Sequence, residues 1–238
     1  MADIRPFAGI RFDPAQVKLG RVLCPPYDAV SPEQATAFRK EKFNAIHLEL
    51  PRGTGAAKYR NSARVWKRWN DSGLLVKDAA PSFYVCEQRF TVEGRVLKRV
   101  GFLAAMGVSS AAAKAVICHE KTLSKPKADR LNILKAVKTN ISPIFGIFPD
   151  PSGRVRRALA SVLRSKPDAQ GPTTPNCDYR FWRVSDPRLT SLIRKELKAK
   201  KILIADGHHR YSVSRAYYGL TRDRSADTVL IYLCPEED

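Results

Sequence analysis

The chain has 238 residues, 44% of them hydrophobic, with 42 Lys and Arg against 23 Asp and Glu. That is enough for one large domain or two small ones and too apolar for a disordered chain. The net charge of +19 and pI near 10.0 admit nucleic acid and anionic small molecules as partners. No apolar run reaches the length of a membrane span, and Met1–Pro6 lacks the apolar core of a signal peptide. No membrane partner is therefore expected. The five cysteines are scattered, odd in number and without C-x-x-C spacing, which excludes a disulfide framework and a zinc knuckle and points to the reducing cytoplasm.

Residues 5–12 read as a short edge strand. Pro25 and Pro26 then hold an extended path. Ser31-Pro32-Glu33 supplies an N-cap, a first-turn proline and a first-turn acid for a helix to about Lys40. Alternation over 45–50 predicts a strand stopped by Pro51, and 52–55 a loop. Apolar residues at helical spacing predict a helix over 59–70, ending near Gly73. Residues 82–90 and 97–108 flank Glu93-Gly94 as a long hairpin. A helix follows over 126–139 with Leu131, Leu134 and Val137 as its apolar stripe, then a strand over 143–148 and a basic helix over 154–164. Residues 165–175 are the best linker candidate. They would divide an N-terminal region, 1–165, from a C-terminal element, 176–238, within one continuous unit. There the pattern predicts strand 181–184, a helix over 187–198 capped by Asp186, strand 202–205, helix 209–219 and strand 228–233. The last is a strong strand close to the end, so either it closes the sheet or the chain continues. The fold class is α+β, a mixed α/β arrangement of hairpins and packed helices.

The most informative stretch is 201–211. An apolar run, Ile202–Ala205, ends in Asp206-Gly207-His208-His209-Arg210. A strand handing over to a helix through Asp-Gly places free N–H groups and the positive end of the helix dipole at one point. Gly207 permits close approach, Arg210 can fork onto a phosphate or carboxylate, and Asp206 can hold a divalent cation or take a hydroxyl proton. The plainer reading is a His pair at a helix start beside a surface Arg. His119-Glu120-x-Thr122 lacks the second His of a zincin, since position 123 is Leu. A zinc site from His119, His208 and His209 would need the segments to meet. Lys127 and Arg130 share a helix face, and Asp129 beside them is a further oxygen ligand. Walker A and kinase-type Gly-rich loops are absent. Pro25-Pro26-Tyr27-Asp28 reads equally as a structural turn or a ligand contact, with Asp28 able to orient an Arg. The tryptophans read as core. The basic residues are dispersed, so a solvated basic surface is a simpler reading than a nucleic-acid footprint.

Several segments in order resemble one family, the domain of unknown function DUF 1015, grouped with SerK-like free-serine kinases and the ParB/sulfiredoxin fold. They are Arg5-Pro6-Phe7, Cys24–Glu33, Asn44 with Leu48–Pro51, His119–Thr122 with Pro126–Leu131, Asn140–Phe145 and Ala205–Tyr211. The resemblance implies a ParB/SerK-like nucleotide-binding element, helix–strand–Gly-x-x-Arg–helix, near 184–220. It implies Mg²⁺-assisted phosphoryl transfer from ADP or ATP to a small hydroxyl substrate, with free L-serine as candidate. Asp206 and Glu120 would be catalytic. Gly207, His208, His209, Arg210, His119, Thr122, Lys127 and Arg130 would bind phosphate or nucleotide, and Asp206, Glu120 and Asp129 would hold Mg²⁺. A non-catalytic, ParB-like nucleotide-gated regulator or nucleic-acid-binding module is the alternative, favoured by charge and disfavoured by the lack of a helix-turn-helix. The resemblance also implies that members continue past the strand at 228–233.

Overall fold

Glu93 and Gly94 both take positive φ, 49° and 75°, the pairing a tight hairpin turn demands. In the computed structural model, which describes residues 1–120, 124–174 and 177–237, they join β4 (Phe83–Val92) to β5 (Arg95–Gly107). Before this hairpin come β1 (Ile4–Arg5), β2 (Ile10–Phe12), α1 (Leu19–Val22), α2 (Pro32–Phe38), α3 (Ile46–Glu49), α4 (Gly55–Asp71) and β3 (Leu75–Lys77). After it come α5 (Ser110–Ala113), β6 (Val116–Ile117), α6 (Ser124–Val137), β7 (Ile144–Phe148), α7 (Arg154–Val162), β8 (Ala169–Thr174), β9 (Cys177–Val184), α8 (Pro187–Leu197), β10 (Ile202–Asp206), α9 (His208–Thr221) and β11 (Thr228–Pro235).

Among the described residues nine strands form one mixed sheet in the order β6-β10-β7-β11-β5-β4-β9-β8, with β1 pairing β5 where β4 has not yet begun. β2 and β3 make a separate ribbon. The strong strand near the end, β11, lies mid-sheet, parallel to β7 and antiparallel to β5. One face carries the main core: Val85, Phe102, Ile144, Ile204 and Ile231 meet Leu159 of α7 and Ile193 and Leu197 of α8. Burying each such side chain contributes roughly 1.5–3 kcal/mol. A second core, Leu48, Trp69, Leu74 and Leu75, packs with Phe12, Trp66 and Ile141 and fixes α3 and α4 beside the loop after α6.

Local chemistry explains the helix starts. Ser31 and Gln34 form a reciprocal capping box, and the Asp186 carboxylate accepts from the N–H groups of Arg188 and Leu189. Three expectations are corrected. Residues 46–49 form a helical turn, not a strand. The Asn44 amide donates to the carbonyls of Arg21 and Leu23 and its oxygen accepts from the Ile46 N–H, which sets the turn tertiarily. The linker candidate contains β8, an edge strand on β9, so 169–174 belong to the sheet rather than separating two regions. The stripe on α6 is rotated: Arg130, Ile133 and Val137 are buried, while Leu131 and Leu134 are partly exposed. Among the described residues no helix is long and apolar enough to cross a membrane, and no two cysteines form a disulfide.

Candidate functional site

β6 and β10 are adjacent and parallel, with Val116 opposite Ile202 and Ile117 opposite Leu203. The residues that follow each strand therefore emerge at the same sheet edge: Cys118, His119 and Glu120 from one, Asp206, Gly207 and His208 from the other. β7 runs antiparallel to β10, so Pro143 and the preceding Asn140–Ser142 reach that edge too. An extra residue on β10 between Ile204 and Asp206 interrupts the register there, a bulge of the kind that re-aims a side chain. Gly207 then makes the turn at φ 89°, where a Cβ would stand 2.8 Å from Ile144 Cγ2. Only glycine fits that close, left-handed corner.

No side chain caps the N-terminus of α9. Two flanks diverge from it, because residues 208, 211, 212 and 215 lie on one face of the helix and 210, 213 and 214 on the other. On the first flank His208 Nδ1 stands 3.1 Å from Glu120 Oε2, off hydrogen-bond alignment, and the His119 ring meets the His208 ring edge-on at 4.5 Å. The imidazole of His208 is 2% exposed while the Glu120 carboxylate is 57% exposed. Burial, and then the neighbouring His119, lower the His208 pKa below its usual 6.5; Glu120 opposes them. Cys118, Tyr211, Ser212 and Arg215 complete an open cleft of about 570 Å³ including its mouth. Burial raises the pKa of Cys118 and Tyr211, so neither is primed to ionise.

On the second flank Arg210 is already engaged. Its Nη2 donates to Asp206 Oδ2 at 2.5 Å, Nη1 donates to the Pro143 carbonyl, and Asp28 Oδ2 lies 3.9 Å away. Asp28 thus stands where it orients an Arg, and Arg210 ties β10, the start of β7 and the Pro-Pro-Tyr-Asp loop together instead of projecting as a free phosphate fork. Arg130 is equally committed. It donates to the Glu49 carbonyl at 2.9 Å and to Asp129 Oδ2 at 2.6 Å, faces Glu49 Oε2 at 3.3 Å, and lies 4.0 Å from the Tyr27 ring centre. Asp129 also accepts from Lys58 at 2.7 Å and from the Tyr59 hydroxyl. Burial acts to raise the Asp129 pKa, but Lys58 and Arg130 outweigh it and the net shift is downward. Asp129 is thereby a buttress for α4 and α6 rather than an open metal ligand.

The structure brings Glu120, His119, Asp206, Gly207, His208 and Arg210 to one edge. Lys127 is partly buried on α6, and Thr122 lies outside the described residues. His209 follows His208 at the start of α9. Among the described residues no group of three His, Cys, Asp or Glu is placed to hold a metal ion, so the His119, His208 and His209 zinc trio is not assembled. Glu49 was not among the site candidates, yet with Asn140 and Ser142, which the sequence left open as caps or ligand contacts, it lines a cavity against Arg130 and Arg210. The signal for Glu49 was there, a carboxylate between Leu48 and Leu50, but a strand reading set it on the wrong element. The order α8, β10, α9 follows the helix, strand and helix expected over 187–219.

The family model described as "Protein of unknown function (DUF1015)" matches residues 4–238. No curated protein and no solved structure matches the chain.

Proposed function

The chain belongs to the DUF1015 family, and we propose that it is a nucleotide-dependent phosphotransferase acting on a small hydroxyl-bearing molecule, with free L-serine as the candidate acceptor and ADP or ATP as donor. The observation that carries this reading is the contact between Glu120 and His208 at the uncapped N-terminus of α9, beside Asp206. An uncapped helix start orients anionic phosphate through its N–H groups and dipole. His208, whose lowered pKa favours the neutral imidazole near pH 7, stands against the Glu120 carboxylate and limits where it can move. Glu120 is then the base that takes the acceptor hydroxyl proton.

Asp206 and Glu120 are the residues that would hold Mg²⁺. Their carboxylates are 55% and 57% exposed, hard oxygen donors that suit an ion taking one or two protein ligands and completing its shell with water and phosphate. When bound, the ion supplies charge neutralisation on the phosphates. In this arrangement Arg210 fixes Asp206, and Lys127 on α6 is the candidate cation for the transferred charge.

The test is ³¹P NMR of the chain with Mg²⁺, ATP or ADP, and L-serine. Phosphorylated acceptor should form, and Glu120→Gln should slow it by about 100-fold or more. Because Glu120 is exposed, that variant should melt with the wild type. Asp206→Asn is the less clean variant, since Asp206 also holds Arg210. No product and no nucleotide-dependent rise in Tm would overturn the reading. The net charge of +19 favours a second one, a nucleotide-gated nucleic-acid-binding module. DNA affinity falling steeply with salt, with no turnover, would select it.

A further inference from the structure

The cavity on the Arg210 flank of α9 has a different character from the cleft on the His208 flank. It spans about 400 Å³ including its open mouth, between the end of α3, α6, the 139–142 loop and α9. The Glu49 side chain, 5% exposed, faces it. Oε2 of Glu49 looks at Arg130, but Oε1 is buried and makes no hydrogen bond of ordinary length, although the Ser142 hydroxyl on the same cavity wall acts on the carboxyl. Nε of Arg210 is buried and unpartnered in the same way. A buried acceptor or donor left unmade costs about 1–3 kcal/mol, more when charged. Two such groups lining one cavity call for a ligand that satisfies both.

The surrounding charge says what kind. Four carboxylates, Glu49, Asp129, Asp28 and Asp206, meet three cations, Arg130, Arg210 and Lys58. This cluster holds one more acid than base inside a chain of net charge +19. Arg130 serves only Oε2 of Glu49, so Oε1 is the carboxylate oxygen in this cavity that still lacks a donor. Asn140 and Ser214, whose side chains stand 3.5 Å apart across the same cavity, add neutral polar groups.

We propose that this cavity binds a small ligand bearing a primary ammonium, which donates to Glu49 Oε1, and an acceptor oxygen, which takes the Arg210 Nε–H. The two sites use opposite faces of α9, so this proposal does not rest on phosphoryl transfer at Glu120 and survives its failure.

The test is calorimetric titration of the full chain with four molecules of matched size: glycine, ethanolamine, glycolate and ethylene glycol. Glycine and ethanolamine should bind at least about tenfold tighter than the two without an ammonium. Glycine tighter than ethanolamine identifies an amino-acid ligand, and the reverse identifies a simple amine. Glu49→Gln should weaken binding by about tenfold or more. In case that variant does not fold, NMR on the wild type is the second measurement: glycine should shift the Asn140 side-chain amide and the Ser214 amide signals. No binding of either ammonium compound by about 10 mM, equal binding of ethylene glycol, or shifts confined to other regions would overturn the proposal and leave a cavity that holds only water.

Discussion

The two flanks of α9 start from the same glycine corner and differ in how their charges are satisfied. On the Arg210 flank, guanidiniums are buried to 7–8% exposure and matched by carboxylates and carbonyls from α3, α6, β7, β10 and the Pro-Pro-Tyr-Asp loop. On the His208 flank, a buried imidazole meets a carboxylate that is still more than half in water. Charges removed from water must be paired, and pairs drawn from distant segments hold those segments together. A charge that keeps water as an alternative partner is free to exchange a proton or a ligand. The difference separates the paired arginines from the half-solvated Glu120 beside His208, although both belong to motifs that look equally functional in the sequence.

Breaking the matched flank should have the largest effect. Arg130→Met leaves Glu49 buried without its cation and should cost about 3–5 kcal/mol in denaturant unfolding. A loss under about 1 kcal/mol would mean that packing, not this network, holds α3 to α6. The corner common to both flanks comes next. Gly207→Ala forces a left-handed residue against Ile144 and should cost about 2 kcal/mol, read as a lower denaturation midpoint. An unchanged midpoint would show that the corner can relax away from Ile144.

The smallest effect sharpens the comparison most, because the flanks titrate in opposite senses. Burial lowers the His208 pKa, so below about 6.5 the unfolded chain takes up a proton that the folded chain refuses. Stability should therefore fall as pH drops from 6.5 through the depressed value, and His208→Gln should flatten that slope. Burial raises the Glu49 pKa, which Arg130 and Ser142 only partly offset. Its contribution is fully present below the usual 4.5 and is lost as pH rises through the raised value, and Glu49→Gln should remove that loss. Thermal melts across pH check both. Slopes of the same sign for the two variants would refute the contrast.

Much of the fold was legible because its signals are local. The Ser31 and Asp186 caps, the Glu93-Gly94 turn and the apolar run of β11 act within a few residues, so the local sequence determines them. The place of the candidate site was legible in the same degree: a strand running into Asp-Gly predicts a helix start at the sheet edge whatever surrounds it. The short segment 45–50 was not, since six residues satisfy a period of two and a single helical turn equally, and the buried Asn44 amide decides between them through carbonyls more than 20 residues away in the chain. Nor did spacing distinguish Arg130 and Arg210 from free anion clamps. Their partners Glu49, Asp28 and Pro143 lie 67 to 182 residues distant in sequence, and it takes the packing of α3, α4 and α6, the approach of the Pro-Pro-Tyr-Asp loop and the antiparallel pairing of β7 with β10 to bring them together. The sequence by itself thus determined which elements form and which residues carry chemistry. Tertiary structure decided which of those charges are desolvated and matched and which stay open to solvent, because burial and pairing depend on contacts that no local pattern encodes.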